Sequence, residues 1–274
     1  MPELKSILLH VDATAASITR LVVSQQLAAL HAARVTALYA AAAETGRVAF
    51  ACSTAASLRS QEEWEPANVE SRRRLQRLAD TRGPRVEWSD VIGEEVDRAF
   101  LREAAYADLV VVGSPASEAP AGSVESGFAE TMILESGRPV LVLPIEPRSS
   151  IVGRRVLVAW DGSAPAARAL TASLPILQHA EQVHVASWSD RPLAAPFSRV
   201  DVGRYLEEHD VVATRHGRMA TTRVADEVLA MATSLDADLV VMGCYGHSRT
   251  RERLFGGTSR RVLARMPVAL LMAH

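Results

Sequence analysis

The sequence predicts an α/β protein built from two doubly wound domains, each a five-stranded parallel sheet covered by helices. Three observations carry this. The chain repeats itself: SILLHVDATAAS (6–17) resembles RVLVAWDGSAPA (155–166), HAARVTALYA (31–40) resembles HAEQVHVASW (179–188), ADLVVVGS (107–114) matches ADLVVMGC (237–244), and RPVLVLP (138–144) echoes MPVALLM (266–272). Within each half, strand-like and helix-like segments alternate, the pattern of a parallel sheet wrapped by helices. The strand-like segments are continuous apolar runs, as expected of strands buried on both faces.

The elements follow in order. In the first half, the run before Asp12 is a strand, 31–40 carries the second, and Ser71 to Leu78 reads as a helix. The runs at 109–113 and 140–143 are the fourth and fifth strands. The offset between repeats falls from 148 to 130 after the second match, so the first half carries extra residues between Ala41 and Asp80. In the second half, Arg155 to Trp160 is a strand. Ser163 then caps a helix with Pro165 in its first turn, where proline is tolerated. Val183 to Trp188 is the second strand, Val200 to His209 a helix, and Val211 to Arg215 a short third strand. Val224, Val228 and Ala232 share one helical face, which places a helix from about Thr222. Leu239 to Met242 and Val268 to Met272 complete the sheet. The duplication divides the chain into domains at 1–146 and 153–274.

Composition excludes several classes. The 274 residues are 48% hydrophobic, enough for two cores and far from disordered composition. A net charge of −2 gives no global basic field, so nucleic acid is not an expected partner. The two cysteines, Cys52 and Cys244, make no disulfide framework. The N-terminus lacks a signal-peptide core, and no apolar run approaches the ~20 residues of a membrane span. The expectation is a soluble cytoplasmic protein away from membranes.

One stretch carries chemistry: MGCYGHSRTRERLFGGTSRRVL, residues 242 to 263. In open α/β sheets, ligands bind beyond the carboxyl ends of strands where the winding reverses. Asp161 ends the first strand of the second half and Gly243 the fourth. If those strands are neighbours, both face one crevice. Glycines let backbone approach an anion, and the helix opening near Gly256 offers free N–H groups to phosphate. Thr258 or Ser259 can cap that helix or donate to a phosphate oxygen, and Asp161 can accept from a ribose. The bland reading is that Gly243 and Gly246 merely make a tight exit from the sheet.

With Gly243-Cys-Tyr-Gly246, nine further residues, then Gly256-Gly257-Thr258, the chain resembles the universal stress protein family, whose nucleotide loop reads G-x2-G-x9-G followed closely by Ser or Thr. Asp161 and the ADLVVMG and PVALLM strands fall in family order, and the two halves make the chain similar to a tandem member. The resemblance implies an adenine nucleotide alpha hydrolase-like fold. It implies a stress-response role and an ATP or related adenine-nucleotide site at Asp161, Met242, Gly243, Gly246, Gly256, Gly257, Thr258 and Ser259. Two departures stand out: Gly257 occupies the place of the usual hydroxyl residue, and Trp188 stands near where a small valine usually lines the adenine slot. In the first half Asp12 remains, but SPASEAPAGSVESGFAE follows Gly113, and Pro115 and Pro120 remove backbone donors. That half reads as a structural partner without a pocket.

Alternatives remain open at this level: a non-binding interaction scaffold for an unknown protein partner, or a weak ATPase. No GxxxxGK[ST], GxGxxG or GxSxG signature is present, and no catalytic residue is assigned. The eight histidines show no paired ligand spacing in sequence, so no metal is expected. Arg249, Arg251 and Arg253 read as a solvated loop face, and Cys244 as a small loop residue. Family domains usually dimerise through their last strands. Val140 to Leu143 and Val268 to Met272 are therefore expected to pair within one chain as an intramolecular pseudo-dimer, with dimerisation of whole chains a further option.

Overall fold

The structure is a computed structural model, and it describes residues 3–40, 66–91, 95–114, 127–189, 201–219, 224–244 and 257–274. In the first half the elements are β1 (Ser6–Val11), α1 (Ala16–His31), β2 (Arg34–Tyr39), α2 (Pro66–Arg82), β3 (Val86–Asp90), α3 (Val96–Ala104), β4 (Leu109–Gly113), α4 (Phe128–Glu135) and β5 (Val140–Leu143). The second half repeats the series as β6 (Arg155–Trp160), α5 (Ala164–Leu177), β7 (Gln182–Ser189), α6 (Val202–Glu207), β8 (Ala213–Met219), α7 (Val224–Ser234), β9 (Leu239–Gly243), α8 (Gly257–Arg265) and β10 (Ala269–Ala273).

Two compact units emerge, one spanning Leu4–Arg138 and the other Pro139–His274 with Met1–Glu3. In the first unit the strand order is β3-β2-β1-β4, and the registered pairs β1–β2, β1–β4 and β2–β3 are all parallel. In the second it is β10-β9-β6-β7-β8, again parallel throughout. The chain therefore winds one way from β6 to β8 and the other way from β6 to β10. The winding reverses between β6 and β9. β5 belongs to the second unit, where it lies antiparallel to β10, with Leu141 opposite Leu271. That is the pairing expected of the two apolar last strands, and it covers an edge that would otherwise invite association.

The cores follow the apolar runs. Ile7, Leu9, Val35, Ala37, Val110 and Val111 are buried in the first unit, and Val156, Leu157, Val185, Val240, Val241 and Leu271 in the second. The repeated Ala-Asp before β4 and β9 has its own structural reason. Asp108 Oδ2 accepts the N–H groups of Lys5 and Ser6 at 2.9 Å each. Asp238 does the same for Gly153, Arg154 and Arg155 at 2.7, 3.1 and 3.0 Å. Each carboxylate satisfies backbone donors entering the central strand, at the end of the sheet opposite the crevice.

Several boundaries differ from the sequence reading. α2 is longer than Ser71 to Leu78. α6 begins only after Asp201, whose side chain accepts the Arg204 N–H as an N-cap. The third strand of the second half starts at Ala213 and runs to Met219, beyond the expected Arg215. β8 ends its sheet's order and is mostly exposed, so its outer residues are polar and the apolar pattern stopped being a guide. Val211, taken as strand, is instead buried just ahead of it.

Candidate functional site

β6 and β9 are hydrogen-bonded neighbours, with Ala159 opposite Met242. Asp161 and Gly243 thus lie at the carboxyl ends of adjacent strands at the reversal point. Asp161 is exposed, and its Oδ1 accepts the Ser163 N–H at 2.9 Å. Gly162 takes φ +74, which glycine adopts without penalty. Ser163 then caps α5, its Oγ accepting from Ala166 N at 3.2 Å, with Pro165 in the first turn as expected.

Gly243 has a packing reason. A Cβ there would meet the backbone of α5 at 2.6 Å from Pro165 C and 2.8 Å from Ala166 Cα, with Ala166 N nearer still. The glycine lets the first turn of α5 sit against the end of β9. Met242 is buried, so its side chain belongs to the core. Gly257 is the first residue of α8, Thr258 is exposed and Ser259 is buried. Gly246, Gly256 and the three arginines between them lie outside the described residues. Cys244 is buried, its Sγ lies 3.1 Å from the Ala273 carbonyl oxygen, and burial raises its thiol to about 12, which suits a packed thiol and not a redox centre.

Trp188 is the penultimate residue of β7. Its indole N–H donates to Glu227 Oε2 at 2.7 Å, so the ring is held from the helix. Sequence reading singled out the tryptophan but not its anchor, because no spacing rule connects residues on different elements.

The corresponding place in the first unit is filled. β1 and β4 are neighbours, with Leu9 opposite Val111, so Asp12 and Gly113 stand as Asp161 and Gly243 do. Here Arg20 of α1 reaches across. Its Nη2 lies 2.9 Å from Asp12 Oδ1 with both side chains 4% exposed, and its Nε donates to the His10 carbonyl at 2.9 Å. A Cβ on Gly113 would stand 2.5 Å from Arg20 Nη1. Thr14 and Ser17 hydroxyls donate to Asp12 Oδ1 at 2.5 and 2.7 Å. Burial pushes the Asp12 carboxyl up, but Arg20 and the hydroxyl bonds outweigh it and hold the group below its ordinary value. His10 packs between Phe100 and Phe128, at ring centroid distances of 5.3 and 4.8 Å, and burial with the Arg20 charge lowers its pKa to about 3. It is a neutral core histidine. The sequence reading rests on the loop after Gly113, whose residues 115–126 lie outside the described residues; it does not foresee Arg20 packed against Asp12 and Gly113.

A second cluster also escaped the sequence. His184 and His216, 32 positions apart, meet with Nδ1 and Nε2 at 3.1 Å. Among the described residues, no group of three or more His, Cys, Asp or Glu is placed to hold a metal ion, and no helix is long and apolar enough to cross a membrane.

Residues 153–274 match the family model described as the universal stress protein family. The chain is similar over 99% of its length, and 96% of the other's, to a universal stress protein from Archaeoglobus fulgidus DSM 4304, with 17% identity and a TM-score of 0.71. A functionally unknown protein from Pseudomonas aeruginosa PAO1 aligns over 98% of this chain and 92% of its own at 14% identity and a TM-score of 0.60. A putative universal stress protein from Pseudomonas aeruginosa UCBPP-PA14 aligns over 98% and 93%, at 16% identity and a TM-score of 0.56. At these identities the likeness is one of fold. No curated protein matches the sequence.

Proposed function

With residues 153–274 a domain of the universal stress protein family and the first half folded alike, we propose that the chain is a cytoplasmic stress-response protein whose second domain binds an adenine nucleotide weakly. The ligand is ATP or a close relative. It would lie between the ends of β6 and β9, with its sugar or base end towards Asp161 and its phosphates towards the start of α8. Binding alters the surface offered to a protein partner.

The observation that supports this best is the adjacency of β6 and β9 at the winding reversal. It brings an exposed aspartate and a close-packed glycine to the ends of adjacent strands, the position where open α/β sheets take ligands. Where the first unit has Arg20, eight residues after its aspartate, the second has Ala169, eight residues after Asp161.

The test is the native protein, never stripped, analysed by absorbance and mass spectrometry for co-purified nucleotide, then titrated with ATP by calorimetry. Binding that survives Asp12→Ala but is lost in Asp161→Ala and Gly246→Val supports the reading. No binding by wild type or by Gly257→Ser would instead favour the interaction scaffold, and phosphate release above background the weak ATPase.

A further inference from the structure

We propose that His184 and His216 form a two-imidazole site for a divalent transition-metal ion of the nickel, copper or zinc kind, with water completing its coordination. The proposal does not depend on the nucleotide reading.

The placement is fixed by the sheet. β7 and β8 run parallel, with His184 opposite Thr214 and Ala186 opposite His216. Residues two apart share a face, so the two histidines are diagonal neighbours on one side. Their facing nitrogens are His184 Nδ1 and His216 Nε2, 3.1 Å apart, and the rings are inclined by 43° with centroids 5.2 Å apart. At the imidazole–metal distance of ~2.0–2.1 Å, two nitrogens at that separation subtend about 98° at a shared ion, between square and tetrahedral angles.

Two further features fit. Imidazole is a suitable ligand for this class of ion, and it binds in the neutral form. β8 ends the strand order, so both rings are only half buried and water can reach the open coordination positions. Arg218 is two residues beyond His216 on the same face; it is exposed, and solvent screens its charge.

Without metal, one ring donates an N–H to the other across the 3.1 Å gap. Metal binding needs both facing nitrogens bare. The donating ring must therefore shift its proton to its far nitrogen through solvent. That shift is a tautomer change within one ring, with no net proton released.

The experiment is calorimetric titration of the full chain with Ni²⁺ at pH 7.5, in the absence of nucleotide, for wild type, His184→Ala, His216→Ala and the double variant. The expected result is one Ni²⁺ per chain in wild type. Either single variant should weaken it by about a hundredfold, since losing one of two preorganised ligands removes the chelate advantage. The double variant, with neither imidazole, should bind at least as weakly as either single variant. A Ni²⁺-induced rise in melting temperature, present in wild type and absent in His216→Asn, checks the site without relying on alanine at a sheet edge. Equal affinity in wild type and the double variant, or no thermal shift in wild type, overturns the proposal.

Discussion

The carboxyl ends of β1 and β6 are the same place in two copies of one fold, and they have become opposites. At β1 the aspartate is buried, bonded to two hydroxyls and paired with Arg20. At β6 the aspartate is exposed, and among the described residues its carboxylate accepts one local backbone N–H, that of Ser163. The strand order around both is identical. What differs is the side chain sent back from the following helix: an arginine in one, a buried alanine in the other. At the same strand ends, the helix alongside thus sends Arg20 against Gly113 in the first unit and carries Ala169 at the matching position in the second.

The largest test of this contrast is stability. Asp12→Ala leaves Arg20 buried without its counter-charge, and breaking such a pair costs about 3–5 kcal/mol. Asp161→Ala removes one exposed group and should change stability by no more than ~0.5 kcal/mol. Denaturant unfolding, with hydrogen exchange read on peptides from β1 and β6 to localise the loss, checks both. Asp12→Leu with Arg20→Met should recover most of the loss, because replacing both ions with apolar groups removes the unpaired charge. Similar destabilisation by the two aspartate variants would erase the contrast.

Acid sharpens it. The folded pKa of His10 is about 3, below the ordinary imidazole value of 6.5. The unfolded chain therefore binds the proton first, and stability present above pH 6.5 is lost as pH falls towards 3. The depressed Asp12 carboxyl adds a further loss below about pH 4, where the unfolded aspartate protonates first. β1 peptides should lose exchange protection from about pH 6.5 downwards, before β6 peptides, which carry Ala159 where the first unit has His10. His10→Gln should flatten the upper part of that slope. Equal acid sensitivity of β1 and β6 in wild type would contradict it.

Next in size is ligand affinity at the open crevice. Gly257 lies in the first turn of α8, where the backbone is helical, so serine is compatible there. Its hydroxyl would offer phosphate a donor that glycine lacks. A hydrogen bond to a charged group is worth about 1.5–3 kcal/mol, so Gly257→Ser should tighten ATP binding roughly ten- to a hundredfold. No gain with the fold intact would turn attention to Trp188, which Glu227 holds in place.

How much of this was legible in sequence depended on what carried the signal. The duplication, the parallel sheets, the Ser163 cap and the adjacency of Asp161 and Gly243 could all be reasoned out. Each rests on a local pattern or on the winding rule. β8 was misplaced because an edge strand with a polar face lacks the apolar run that marks buried strands. Arg20, Glu227 and the His184–His216 contact were missed for another reason. Each joins two elements, and in a single sequence their pairing leaves no periodicity. Asp108 and Asp238 were visible as a repeat, but their work at the far end of the sheet was not.

The glycines at the ends of β4 and β9 give a smaller test. Gly243→Ala would drive a methyl into the α5 backbone, which cannot rotate away, so overpacking of about 1–3 kcal/mol is expected. Gly113→Ala meets only the end of Arg20, a side chain that can yield if its pairing adjusts. Gly243→Ala should therefore lower the melting temperature more than Gly113→Ala. The reverse order would mean that the Asp12–Arg20 pair is the more rigid of the two obstacles.

The smallest effect concerns how each helix starts beside its crevice. α5 opens on Ser163 with extended backbone, and its hydroxyl takes the Ala166 N–H. α1 follows Ala15, which is already helical and makes no side-chain cap. Its nearby donors are instead drawn into the aspartate cluster, where Thr14 N donates to Asp12 Oδ1 at 3.0 Å. Ser163→Ala should therefore cost about 1 kcal/mol, the usual value of a lost N-cap. Ala15→Ser should stay within ~0.5 kcal/mol, since a helical residue cannot aim its hydroxyl at the first-turn donors. In the first unit the aspartate that closes the crevice also organises the helix start. In the second, Asp161 accepts the equivalent N–H, that of Ser163, but the helix also has a side-chain cap of its own in Ser163, and the Asp161 carboxylate is exposed. A Ser163→Ala variant as stable as wild type would show that Asp161 holds the helix start as well, and the division between the two units would then be one of exposure alone.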